Sequence, residues 1–346
     1  MILDDQSLNV LENHLRPGGQ LHGLISSYRS ILDDPFALDI RVRGMEGLEF
    51  HHGTTVLLSI VHASEQMVWL VGGTYCGNHS RRQYGDNEAG DLHWIVDVFP
   101  ITEAGNAVKL LPYYLRSAVL ASDDADACYR DRHRGFWLNW LSLSLGHDWH
   151  PGCEWLVIDR ECTICVPRNM GEMAIHAHSY SCFRPFEILK HRLQQTDPQH
   201  WGQPVPDGLS RECDLLGVGP NGELFCIDVR HGGDGMDICW SAVKLAAYAE
   251  ALRTADPTKL FDDLTRRLRR RVALGLLSEE ALIHWPAFAF RKVVPVLVVA
   301  EPDDNSPCWD RLDELAQHEP ATKVAVVKLH RGQSPADIRL PNYQQT

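Results

Sequence analysis

Apolar and polar positions form their most ordered pattern between residues 212 and 253. Leu215-Leu216-Gly217-Val218 is a short apolar run, Pro220-Asn221-Gly222 supplies turn residues, and Leu224-Phe225-Cys226-Ile227 resumes the run toward Asp228-Val229-Arg230. Two apolar runs around a turn predict a β-hairpin. Side chains alternate along a strand, so Glu212 and Asp214 share one face, as do Asp228 and Arg230. Residues 235–253 then carry Ile238, Ala242, Leu245, Ala249 and Leu252 at helical spacing, with Trp240, Lys244 and Tyr248 beside that stripe at four-residue intervals. The spacing predicts a helix. A second helix is expected where Leu260, Leu264, Leu268, Val272 and Leu276 form a four-residue stripe, and residues 293–300 read as a buried strand.

The N-terminal half is plainer. Residues 54–62, 67–71 and 92–99 predict strands, whereas 108–120 and 136–145 have the apolar content of buried elements. Residues 72–90, rich in Gly, Asn and Arg, read as a long loop. The expectation is a mixed α/β domain over residues 1–150 and a second domain over 151–346. The first would supply recognition, or contacts to a protein partner or a second copy of the chain.

With 346 residues, 44% hydrophobic and 23% charged, the chain has room for two domains and the composition of a folded protein. No apolar run reaches ~18 residues, and Met1-Ile2-Leu3-Asp4-Asp5 is acidic where a signal peptide is basic. A cytoplasmic protein with no membrane association is expected. Its ten cysteines are scattered through a long chain, which predicts reduced thiols. The net charge of −13 excludes a protein that coats nucleic acid by bulk electrostatics. Acidic residues exceed basic ones in both halves, 19 to 11 over residues 1–150 and 27 to 22 over the rest. One basic run, Arg266, Arg267, Arg269, Arg270 and Arg271, flanks the leucine stripe. Arg266, Arg267 and Arg270 are candidates for contact with a phosphate backbone; the alternative is a solvated face balanced by Asp262 and Asp263.

Chemistry concentrates on the hairpin. If its polar ends face one cleft, Glu212, Asp214 and Asp228 bring carboxylates together beside Arg230. Hard oxygen ligands with open coordination positions suit Mg²⁺ or Mn²⁺, which activate water and neutralise charge developing on a phosphoryl group. Lys244 and Tyr248, one helical turn apart, can both reach a phosphate over the strand ends.

This order of residues resembles the core of the PD-(D/E)XK nucleases, over roughly residues 183–300. Lys244-Leu245-Ala246-Ala247-Tyr248 is similar to the Q-x-x-x-Y of the RecB-like branch. The resemblance implies a restriction-endonuclease-like α-β-β-α-β core following an N-terminal mixed α/β domain, and metal-dependent hydrolysis of nucleic acid, DNA ahead of RNA. It gives Asp214 and Asp228 as metal ligands, Glu212 or Glu187 as an auxiliary carboxylate, Arg230 as charge stabiliser, and Lys244 and Tyr248 as phosphate-orienting groups. Two positions depart from the family pattern. Lys244 stands where the branch has Gln, and Asp228-Val229-Arg230 ends in Arg where the family has Lys. With a pKa above ~12, Arg cannot act as a general base. A second reading follows from that departure: a catalytically silent nuclease fold kept as a binding or scaffold module.

Other motifs compete. Gly217-Val218-Gly219-Pro220-Asn221-Gly222 fits G-x-G-x-x-G, but a dinucleotide site needs a helix to begin there and a strand is expected instead. Cys153, Cys162, Cys165 and Cys182, near His176 and His178, offer zinc ligands with one C-x-x-C knuckle. Some RecB-like nucleases carry an iron–sulfur cluster, and a third reading is a zinc-stabilised interaction protein organised on these cysteines. His147-Asp148-Trp149-His150 lacks a third ligand at helical spacing. No G-x-S-x-G elbow and no Walker-type glycine loop is present, which removes the common hydrolase and NTPase classes.

Overall fold

A computed structural model of the chain describes residues 13–15, 17–19, 21–43, 47–63, 66–72, 94–100, 109, 111–126, 134–163, 177–202, 209, 212–285 and 290–339. Two compact units emerge. One comprises Leu3–Leu143 with Arg269–Ser278, the other Ser144–Leu268 with Glu279–Thr346 and the first two residues. The division falls at residue 143, close to the boundary at 150 read from sequence. The return of Arg269–Ser278 to the N-terminal unit has no counterpart in that reading.

The N-terminal unit contains α1 (His22–Ser27), β1 (Asp39–Arg43), β2 (Gly47–His52), β3 (Thr55–Ala63), β4 (Gln66–Gly72), β5 (Trp94–Pro100), α2 (Leu111–Asp126) and α3 (Arg134–Ser142). Its five strands form an antiparallel meander in chain order. Alternate residues of the first three strands, among them Ile40, Leu48, Phe50, Leu58 and Ile60, join Leu24, Leu115 and Val119 in one core. Burying every second residue is what the strand period requires. Tyr114 of α2 donates its hydroxyl to the Leu57 carbonyl at 2.8 Å, and Leu274 and Leu276 of the returning segment complete the core. The opposite-parity residues Asp39, Arg41, Glu49 and His51 are buried as well. Arg41 and His51 lie 3.5 and 3.4 Å from one oxygen of Glu49. The loop expected over 72–90 lies, after Gly72, outside the described residues.

The second unit runs β6 (Leu156–Thr163), α4 (Ala177–Thr196), α5 (Pro198–Trp201), β7 (Glu212–Val218), β8 (Glu223–His231), α6 (Gly235–Thr254), α7 (Pro257–Ala273), β9 (Lys292–Ala300), α8 (Cys308–His318) and β10 (Ala325–Leu329). The sheet order is β10-β9-β8-β7-β6, with β6, β7 and β8 antiparallel and β8, β9 and β10 parallel. A parallel pair cannot be closed by a hairpin, and α6 with α7 forms the crossover from β8 to β9. Both faces of β9 are buried, in keeping with its Val-rich run. The glycine-rich stretch 217–222 comprises the end of β7 and the β7–β8 turn at 219–222: Gly222 adopts a φ of +80°, a conformation glycine reaches without steric cost, and β8 begins at the next residue. No helix starts there to face a pyrophosphate.

Helix α6 positions the site. It packs on β8 and β9, while α4 and α8 pack against it, so thirteen of its twenty residues are buried. The sequence stripe predicted one apolar face; the helix is enclosed on nearly all sides. Its runs of alanine permit this, since small side chains let sheet and helices approach from both directions.

Candidate functional site

The short turn at residues 219–222 fixes the register of β7 and β8, with Leu215 opposite Ile227. Continued by one residue, that register sets Asp214 opposite Asp228. Like charges directly across a strand pair destabilise a sheet, so a cation is needed. Lys244 supplies it. Its Nζ lies 2.6 Å from Asp228 Oδ1 and 3.6 Å from Asp214 Oδ1. Ser241, Lys244 and Tyr248 stand at i, i+3 and i+7 and therefore share the face of α6 that looks onto the hairpin.

The other oxygen of Asp228 is equally engaged. Arg230 Nε donates to Asp228 Oδ2 at 2.8 Å, and the Ser241 hydroxyl donates to the same oxygen. Arg230 Nε also reaches Ser241 Oγ at 2.8 Å. Asp214 Oδ2 accepts the Val229 amide at 2.9 Å, which ties β7 to β8 beyond their last paired residues. Asp228 is 0% exposed, Asp214 5% and Lys244 7%. Burial disfavours the charged form of Lys244, but the carboxylates of Asp214 and Asp228 outweigh it and hold the amine's pKa above its ordinary value. Asp214, Asp228 and Lys244 thus form a buried cluster, with half-buried Arg230 at its edge, where the guanidinium also lies 3.8 Å from the exposed carboxylate of Asp237.

Asp214, Asp228, Arg230 and Lys244, selected from sequence, are therefore brought together. Ser241 was missed, although its position one turn before Lys244 was the available signal. Tyr248 requires a correction: it is fully buried, its hydroxyl donates to the main-chain carbonyl of Glu212, and its ring packs 5.7 Å from that of Phe183. It anchors the start of β7 to α6 and is not placed to orient a phosphate. Glu212 is exposed at the strand's first residue. Glu187 is half-buried on α4, one turn beyond Phe183, and makes no hydrogen bond or ion pair with Asp214 or Asp228 among the described residues.

The arginine helix also needs correction. Arg266 is exposed on α7, as expected of a phosphate contact, but Arg267 is half-buried and paired with carboxylates, and Arg270 is buried. The Arg267 guanidinium lies 3.1 Å from Asp159 and 3.0 Å from Asp263, and Arg270 is only 8% exposed. Arg271 is buried too and donates to the Ile40 carbonyl at 3.3 Å. Arg267→Gln should accordingly lower stability by about 1–2 kcal/mol, between the values for exposed and buried ion pairs, because Asp159 is left buried without its cation. A thermal melt of the variant checks this; an unchanged midpoint would return Arg267 to the solvated face.

The cysteines do not form a metal centre among the described residues. Cys153 Sγ is 3.7 Å from His150 Nε2, Cys162 Sγ is 3.7 Å from the Arg267 guanidinium, and Cys182 Sγ is 3.2 Å from Thr254 Oγ1. These are separate surroundings, and a guanidinium beside Cys162 repels a metal cation. Cys165 and His176 lie outside the described residues. His147 pairs with Asp148 at 2.9 Å while His150 faces Cys153, so that motif does not converge on an ion either. Burial pushes the Cys226 and Cys239 thiols up to about 12, as expected of small core residues. No three His, Cys, Asp or Glu side chains among the described residues gather as an ion-binding group. Two carboxylates are enough for Mg²⁺, which keeps several of its waters. The Asp214–Asp228 pair therefore fits such an ion in chemistry and in convergence on one cation position.

No family model matches this chain, and no curated protein or solved structure matches it. Among the described residues, no helix is long and apolar enough to cross a membrane.

Proposed function

We propose that this chain is a metal-dependent phosphodiesterase acting on nucleic acid, DNA ahead of RNA, built on a restriction-endonuclease-like core formed by α4, β7, β8, α6 and β9. One observation carries the reading: the carboxylates of Asp214 and Asp228 meet at a single cation position, beside a second cation, Arg230. Asp214 and Asp228 would hold Mg²⁺ or Mn²⁺. Such an ion, when bound, lowers the pKa of its water and offsets charge developing on the phosphoryl group. Arg230 supplies positive charge next to Asp228, as a guanidinium is suited to do beside a phosphoryl group. Lys244, now paired with Asp228 and Asp214, would meet a phosphate oxygen only after leaving those carboxylates.

A second reading rests on the same cluster. Asp228 already accepts from Lys244, Arg230 and Ser241, and a site satisfied by its own cations is also what a silent binding module would keep. Incubating the full chain with single- and double-stranded DNA and RNA, in Mg²⁺, Mn²⁺ or EDTA, separates the two. Hydrolysis requires metal-dependent products from the wild type and a fall to the EDTA background for Asp228→Asn. Intact substrates throughout would leave the silent module standing.

A further inference from the structure

We propose that Lys244 is a built-in counter-ion that keeps the Asp214–Asp228 pair shut to divalent cations, so that a metal enters only by displacing its ammonium group. The inference rests on the reading of these two carboxylates as a cation site, and it adds how that site is controlled.

Geometry carries it. The hairpin register forces two carboxylates together, and the Lys244 Nζ occupies the point where they meet, 2.6 Å from one and 3.6 Å from the other. A divalent ion ligated by these oxygens at the ~2.1 Å typical of Mg²⁺ would share that space with the ammonium, and like charges cannot. Charge counting gives the same answer. Asp214, Asp228 and Lys244 are buried and sum with Arg230 to zero, so a divalent ion added beside the ammonium would raise the cluster by two positive charges, and departure of Lys244 halves that excess. Lys244 is the member able to leave. Lys244 is the cation that sits between the two carboxylates, whereas Arg230 meets Asp228 from the side of Ser241 and Asp237, and the four-carbon stem of Lys244 is the means by which its Nζ would withdraw while its Cα stays in helix α6.

Calorimetric titration with MnCl₂ of the full chain, freed of metal with EDTA, tests the idea in three forms: wild type, Lys244→Gln, and Lys244→Gln combined with Asp214→Asn. Gln keeps the helix and removes the charge. Lys244→Gln should bind Mn²⁺ at least about tenfold more tightly than the wild type, and its lowered melting temperature in EDTA should recover with Mn²⁺. The double variant, with one carboxylate gone, should fold without metal and lose the tight binding. Equal Mn²⁺ affinity in wild type and Lys244→Gln overturns the inference and leaves the hydrolytic reading untouched. So does a Lys244→Gln protein that stays unfolded in Mn²⁺, because the ion should take over the ammonium's place between the carboxylates. Tight Mn²⁺ binding by Lys244→Gln with no cleavage by any form has the opposite meaning: the counter-ion stands and the hydrolytic reading falls.

Discussion

Asp228→Ala should cost about 3–5 kcal/mol of folding stability, the range for breaking a buried ion pair by removing one partner. On sequence alone the substitution reads as the loss of an ion ligand that leaves the fold intact. Burial changes that. Asp228 is 0% exposed and accepts from Lys244, Arg230 and Ser241, so alanine leaves a lysine and an arginine without their nearest anion. Asp214 compensates poorly, being 3.6 Å from Lys244 and already bonded to the Val229 amide. Urea unfolding followed by tryptophan fluorescence measures the loss; a change under about 1 kcal/mol would mean that the cluster is solvated like a surface pair. The pH dependence gives a second check. The Lys244 pKa is raised on folding, so its contribution is fully present below the ordinary lysine value of ~10.4 and fades as pH rises through the raised one. The gap between wild type and Asp228→Ala should therefore stay level near neutrality and narrow only in strong alkali. Loss of activity in Asp228→Ala confounds chemistry with unfolding, which is why Asp228→Asn, keeping shape and acceptor oxygen, is the variant for the cleavage assay.

The hairpin and α6 were legible because each rests on a local rule. Alternation and a Pro-Asn-Gly turn delimit β7 and β8, and four-residue spacing put Lys244 on the face that meets them. What the sequence hid depends on distant packing. Arg267 and Arg270 look solvated beside a leucine stripe, but Arg267 is paired with Asp159 of β6 and Arg270 is buried, which a helical period cannot show. Tyr248 looked like a phosphate ligand because hydroxyls suit phosphate; its partner is a backbone carbonyl thirty-six residues earlier. Strands β1 and β2 went unread although Asp39-Ile40-Arg41-Val42-Arg43 alternates cleanly. The polar residues at its second parity and in β2, among them Asp39, Arg41, Glu49 and His51, are buried. Strand β10 is short and was passed over, and its pairing with β9 is a long-range fact that no local period contains.

Gly232→Ala should be the most disruptive single-methyl change near the site, at several kcal/mol, because its backbone has no room for a side chain. Gly232 directly follows β8, and a Cβ built on it would lie 2.1 Å from the Glu301 carbonyl oxygen and 2.9 Å from the Pro302 Cα. Both are main-chain atoms that no rotamer change can move. The Gly232 amide donates to the Ala300 carbonyl at 2.7 Å, which clamps the end of β8 onto the end of β9. Glu301 is itself held at a φ of +49°, a left-handed conformation uncommon outside glycine, with its amide donating to Leu329 at 2.8 Å and its carboxylate accepting the Arg331 amide at 2.7 Å. Neither side of the contact can yield cheaply. The clamp lies two residues beyond Arg230 and three before α6 begins, so displacing it should shift Arg230 and Asp228 relative to Ser241 and Lys244. Two readouts test this together: a midpoint shift in urea corresponding to at least about 2 kcal/mol, and a Mn²⁺ affinity that departs from the wild type in whatever protein remains folded. A Gly232→Ala chain as stable as the wild type would show that the β8–α6 junction relaxes easily, and with it that the cluster is held by its own ion pairs without help from the backbone beneath.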